Sequence, residues 1–218
     1  MTPAYAMICG SGSSGHVWQP VATALGGTVL RAPDEPDVQS MAAALRPEIE
    51  RLAAPRVVLG ASLGALIALE LARDTAIDAL ILIAAGFGIA VGPAVLDTIA
   101  AAAPGMLERM ARGVVADPGD DAIVAGVRRD FEACGPELLL RHMRALARHR
   151  PEPPGDLPPT FVLWGTRDPA VPLEAHAVLA LRCRAPLLPI AGAGHVPYFE
   201  RPEATLRWIR AATSWAGI

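Results

Sequence analysis

Val57-Val58-Leu59-Gly60-Ala61-Ser62-Leu63-Gly64-Ala65-Leu66-Ile67-Ala68-Leu69 decides how this chain is read. A short apolar run ends at Leu59, a helix-like run begins at Leu63, and Gly60-Ala61-Ser62-Leu63-Gly64 joins them. The junction is a G-x-S-x-G placed where a strand turns sharply into a helix. A nucleophile lifted clear of a sheet needs a strained turn, so the positions two before and two after it must lack a Cβ. Ser62 Oγ is therefore expected at the carboxyl end of a strand. The amides that open the following helix would face any negative charge developing beside it.

Working outward, strand-like apolar runs recur at residues 4–9, 28–32, 55–60, 78–84, 160–165 and 185–190. Helix-like stretches alternate with them at 17–25, 38–53, 63–73, 173–181 and 202–215. The strands are almost continuously apolar rather than alternating. That pattern predicts an α/β fold, a doubly wound, mainly parallel six-stranded sheet with helices on both faces. From about Phe87 to Pro159 the rhythm breaks, and only helical periodicity remains. Pro93, Pro104, Pro118 and Pro136 are expected in the first turns of successive helices there. Arg150-Pro151-Glu152-Pro153-Pro154-Gly155 reads as an extended linker back to the sheet. The expected organisation is a core from residues 1–86 and 160–218 with a helical cap inserted at 87–159.

Composition narrows the chemistry. A chain of 218 residues suits one domain with an insertion. The formal net charge of -3 gives no reason to expect nucleic acid or an anionic membrane as partner. There is no lysine, which excludes Schiff-base chemistry on the protein, and no asparagine, which excludes N-glycosylation. Cys9, Cys134 and Cys183 show no C-x-x-C spacing and suit reduced thiols. The first residues lack the charged region of a secretory signal, and no apolar run reaches membrane-spanning length, so a cytoplasmic location is expected.

A serine hydroxyl needs a base, and the base needs an orienting acid. Asp168 lies in Gly165-Thr166-Arg167-Asp168-Pro169, after the fifth strand-like run. His195 lies in Ala191-Gly192-Ala193-Gly194-His195-Val196-Pro197, after the sixth. Taken singly, a loop aspartate is a turn residue and a lone histidine a surface or core residue. Jointly, each follows its own strand, all at one sheet edge, in the order Ser, Asp, His. That arrangement makes a catalytic constellation the better reading.

The first loop, Cys9-Gly10-Ser11-Gly12-Ser13-Ser14-Gly15-His16, contains a literal G-x-G-x-x-G between strand and helix, with Asp34 and Glu35 about 20 residues on. A NAD(P)-binding oxidoreductase is thus a rival reading. It leaves the nucleophile turn, Asp168 and His195 as coincidences, whereas a hydrolase leaves only the third glycine and the two acids unexplained.

With these motifs the chain resembles the α/β-hydrolase superfamily over nearly its whole length. The likeness is to the capped group that includes carboxylesterases, pimeloyl-carrier-protein methyl ester esterases and C–C bond hydrolases. The resemblance rests on Gly10-Ser11-Gly12 with Trp18, on residues 60–64 and 165–172, and on Gly194-His195-Val196-Pro197 with Pro202-Glu203. It implies Ser62 as nucleophile, His195 as base and acid, Asp168 as orienter, and the backbone amides of Ser11 and Leu63 as oxyanion hole. Two departures stand out: Cys9-Gly10 replaces the family's usual His-Gly, and the usual amino-terminal hairpin is expected to be missing.

Gly10, Gly12, His16, Trp18, Met143 and Val196 are expected to line the substrate pocket. His142 and His149 could also face it, but no carboxylate or Cys stands at ligand spacing, so no metal is expected. Arg141, Arg144 and Arg148 form a basic stripe opposite Leu139, Met143 and Leu146; it reads as a solvated face or as a docking site for a carrier protein. Trp208 and Trp215 read as core, and Cys9 lacks a base. The sequence thus points to a cofactor-free serine hydrolase cleaving a small-molecule ester or thioester through an acyl-enzyme. A C–C bond hydrolase or lyase on the same residues, and a nonhydrolytic binding protein, remain the alternatives.

Overall fold

Strands β1 (Ala4–Ile8), β2 (Thr28–Leu30), β3 (Arg56–Ala61), β4 (Ala79–Ile83), β5 (Thr160–Gly165) and β6 (Leu187–Ile190) form one sheet in the order β2-β1-β3-β4-β5-β6. All five neighbouring pairs are parallel, with Val58 opposite Ala6 on one side and Leu80 on the other. The computed structural model describes residues 2–152 and 155–218, so Pro153 and Pro154 of the expected linker lie outside the described residues.

The unbroken apolar character of the strands follows from burial of both sheet faces. Met7, Leu59, Ile81 and Leu163 point to a core built with α1 (Gln19–Leu25) and α10 (Pro202–Trp215). Their chain neighbours Ile8, Val58, Leu80 and Val162 point the opposite way, against α2 (Val38–Glu50), α3 (Leu63–Leu71) and α8 (Leu173–Arg182). Trp208 is half-buried and donates its indole N–H to the Pro189 carbonyl at 2.8 Å, but Trp215 is 59% exposed, contrary to the expectation that both are core. It closes the last turn of α10, beyond the stripe set by Ile209 and Ala212.

Between β4 and β5 the chain carries four helices, α4 (Pro93–Ala100), α5 (Met106–Arg112), α6 (Asp121–Glu132) and α7 (Gly135–Arg148). Pro93 and Pro136 occupy first turns as expected. Pro104 and Pro118 do not: they lie in the preceding loops, and Gly105 and Asp120 cap the helices instead. Asp120 wins that place because its side chain accepts the Ile123 amide, a bond no proline offers. The short helix α9 (Pro197–Glu200) was not evident from periodicity.

The insertion is tied to the core by its basic stripe. Arg141 grips Asp34 with two bonds of 2.7 and 2.8 Å, and Arg148 donates to the Pro36 carbonyl. Two of the three arginines considered for a carrier protein are thus engaged within the chain. No helix among the described residues is long and apolar enough to cross a membrane. Strand order reverses direction between β1 and β3, and a crevice opens beyond their carboxyl ends.

Candidate active site

Ser62 sits at the tip of β3 with φ 54° and ψ −118°, a conformation that costs a non-glycine residue about 1–3 kcal/mol. The turn is tight enough to demand its glycines. A Cβ on Gly60 would lie 2.2 Å from the Gly64 carbonyl oxygen, and one on Gly64 would lie 2.2 Å from that of Ile8. The Ser62 amide is held by the Ile83 carbonyl at 2.9 Å. Leu63 opens α3, so its N–H has no partner within the helix, and no other described residue accepts from it.

His195 follows β6 and Asp168 follows β5. The imidazole Nδ1 lies 2.9 Å from Asp168 Oδ2 and 3.1 Å from Oδ1. Oδ1 also accepts from the amides of Ala170 at 2.8 Å and Val171 at 3.0 Å. Burial, the largest influence, pushes the Asp168 carboxyl up. The bond to His195, its charge and the two amides together outweigh this and hold the group below its ordinary range. Behind the pair stands fully buried His176, whose Nδ1 bonds the Pro172 carbonyl while Nε2 lies 3.8 Å from Asp168 Oδ2. Ser62 and His195 line the same cavity, although no hydrogen bond joins them in this structure.

The histidine loop is fixed by a residue that sequence reasoning missed. Glu200, on α9, accepts from the amides of Gly194 at 3.0 Å, Val196 at 3.2 Å and Ala116 at 2.8 Å, joining the loop to the insertion. Burial pushes its carboxyl up, against the pull of those amides. Removing the carboxylate strands three enclosed donors, so Glu200→Ala is expected to cost about 3–5 kcal/mol, about 10 °C in Tm for a chain of this size. Glu200→Gln keeps an acceptor and recovers much of that loss in a thermal melt.

The loop of residues 10–15 is equally determined. Gly12 N–H donates to His142 Nδ1 at 3.1 Å, Gly15 N–H to Ser13 Oγ, and the amides of Ser14 and His16 to Asp130 Oδ1. The amides of Gly12, Ser14, Gly15 and His16 are therefore occupied, and Asp34, one of the two candidate ribose acids, is paired with Arg141. This geometry weighs against the dinucleotide reading. The Ser11 amide, by contrast, has no acceptor among the described residues.

The cavity has a volume of about 350 Å³ and a mostly apolar wall drawn from both the sheet edge and the insertion. Gly10, Met143 and Val196 belong to that wall. Gly12, His16 and Trp18 do not, contrary to expectation. Gly12 packs against Leu139, His16 turns toward Phe199, and fully buried Trp18 stacks at 3.9 Å on Tyr198, which takes the wall position itself. His142 supports the loop from behind, its Nε2 bonded to the Pro33 carbonyl, and His149 is buried beside Glu70. Burial pushes the Cys9 thiol up to about 12, so it stays protonated and is no nucleophile at neutral pH. Among the described residues no group of His, Cys, Asp and Glu could hold a metal ion.

His142, His149 and His176 are all buried, and burial lowers the pKa of each. A histidine lowered in the folded state gives stability above its unfolded pKa of about 6.5, lost as pH falls toward the folded value. Unfolding midpoints in urea are therefore expected to drop from about pH 6.5 downward. The raised carboxyls of Glu70 and Glu200 oppose this only nearer their own range. A flat midpoint between pH 7 and 5 would contradict it.

A family model described as "Alpha/beta hydrolase family" matches residues 7–208. No curated protein matches the chain. Among solved structures, a thermophilic esterase is 22% identical with a TM-score of 0.87, covering 98% of this chain and 90% of its own. A type II thioesterase from the borrelidin biosynthetic cluster is 22% identical with a TM-score of 0.72, covering 97% and 93%. A bromoperoxidase from Bacillus anthracis is 15% identical with a TM-score of 0.84, covering 98% and 92%. At such identities these three share the fold, and the fold alone.

Proposed function

Because the chain belongs to the alpha/beta hydrolase family, we propose that it is a serine hydrolase cleaving a carboxylic ester or thioester through an acyl-enzyme on Ser62. The observation that carries this reading is the convergence on one apolar cavity of Ser62, at its strained turn, and His195, bonded to buried Asp168. His195 takes the Ser62 proton as Oγ attacks the carbonyl carbon. The C=O bond opens to an oxyanion, and the unpaired amides of Leu63 and Ser11 receive it. The intermediate collapses with loss of the alcohol or thiol, which His195 protonates. Water, deprotonated by the same imidazole, then attacks the acyl carbon and frees the acid and Ser62.

Asp168 holds the Nδ1–H of His195, which leaves Nε2 as the proton acceptor, and its charge favours the imidazolium formed at each attack. The helical insertion acts as a cap whose Met143, Leu139, Val127 and Phe131 shape an apolar acyl site. The test is direct. Incubation with a fluorophosphonate probe is expected to add a single label to the peptide containing Ser62, and p-nitrophenyl acetate and butyrate to be turned over. Absence of both labelling and turnover in the folded protein would overturn the reading.

A further inference from the structure

A carboxylate stands in the wall of this mostly apolar cavity. Val127, Asp130 and Phe131, three and four residues apart on α6, share the helix face that lines it. Asp130 is 1% exposed. Its Oδ1 accepts from the Ser14 amide at 3.2 Å, the Ser14 hydroxyl at 2.7 Å and the His16 amide at 2.8 Å. Its Oδ2 accepts from no described residue, and Asp130 forms no ion pair among them. Among the described residues no arginine lines the cavity, and the chain has no lysine.

Loop anchoring accounts for one oxygen only. The other is left without a partner on an almost fully buried side chain, and such a group gains from a donor brought to it. An apolar group placed there removes its remaining solvation without return, and a carboxylate adds repulsion between like charges. The remaining polar side chains of the wall that take no part in the chemistry, Ser11, Ser13 and Tyr198, are neutral, and none of them forms a hydrogen bond to Asp130 in this structure.

We propose that Asp130 sets specificity: the substrate carries a hydrogen-bond donor, an ammonium or hydroxyl group, which Oδ2 receives while the ester carbonyl meets Ser62. This rests on the hydrolase reading above, and the experiment separates the two. Methyl esters of hexanoic and heptanoic acid are compared in forms ending in methyl, hydroxyl, ammonium or carboxylate. The donor-bearing esters are expected to exceed their methyl counterparts in kcat/KM by about tenfold to a hundredfold, and the carboxylate form to be the poorest. In Asp130→Asn, whose amide oxygen still serves Ser14 and His16, that ratio is expected to collapse toward one and the carboxylate form to improve.

Ammonium above hydroxyl identifies charge as the recognised property, and parity between them identifies the hydrogen bond. Preference for the methyl ester in the unaltered enzyme overturns the proposal without need of any variant. So does a ratio unchanged by Asp130→Asn with its melting curve intact. Calorimetric binding of the same esters to Ser62→Ala keeps the two readings apart. Tighter binding of donor-bearing esters without hydrolysis by the unaltered protein leaves this proposal standing and removes the hydrolase. Hydrolysis with no donor preference does the reverse.

Discussion

Ser62→Ala is expected to lower ester turnover by about a millionfold, the loss that follows removal of a triad nucleophile, and to abolish fluorophosphonate labelling. The substitution deletes one oxygen and keeps the Cβ, so the backbone at φ 54° and ψ −118° remains as strained as before. Tm should therefore stay within about 2 °C of the parent. Ser62→Gly separates strain from chemistry. It is equally inactive, but glycine adopts this conformation freely, so relief of about 1 kcal/mol is expected, about 2–4 °C in Tm. A gain in stability with a loss of function is the signature of strain kept for a task. The two Tm values, read beside turnover of p-nitrophenyl butyrate, check this; appreciable turnover by either variant removes Ser62 from the mechanism.

The sheet was legible because it is buried on both faces: Met7, Ile8, Leu59, Val58, Ile81 and Leu80 had to be apolar whichever way they pointed. The candidate site was legible at Ser62, Asp168 and His195 because each follows a strand within a few residues, so local pattern placed them at one edge. What escaped depends on contacts between distant segments. Asp130 meets Ser14 across 116 residues, His142 meets Gly12 across 130, and Glu200 meets Ala116 across 84. No periodicity encodes those distances.

A weaker signal was nevertheless present. Asp130 follows Val127 by three positions, and His142 stands between Leu139 and Leu146, so each places a polar group on an apolar helix face. Such a group, when buried, nearly always has a partner. Gly12, His16 and Trp18 were misplaced for the complementary reason: membership of the right loop does not fix the direction of a side chain. Trp18 turned inward to stack on Tyr198, a residue reached only through the fold.

Asp168→Asn should lower turnover by about ten-thousandfold while leaving the fold intact, and the cause lies in where its two atoms settle. The Oδ1 position faces the amides of Ala170 and Val171, both donors, so the asparagine carbonyl is held there. The amide nitrogen then occupies the Oδ2 position, 2.9 Å from His195 Nδ1. His176 Nε2, at 3.8 Å from the same position, lies beyond hydrogen-bond reach. The new side chain keeps both amide donors on its oxygen and one acceptor on its nitrogen, so Tm should move little. It donates to His195 Nδ1 instead of accepting from it, and this forces the proton onto Nε2. The imidazole then presents N–H to Ser62 where a base is needed, and the negative charge that favoured the imidazolium is gone. Slow labelling by a fluorophosphonate at an unchanged melting temperature is the expected result. A loss below tenfold would mean that His195 holds its tautomer without Asp168. A large fall in Tm would mean that Asp168 serves the fold before the chemistry.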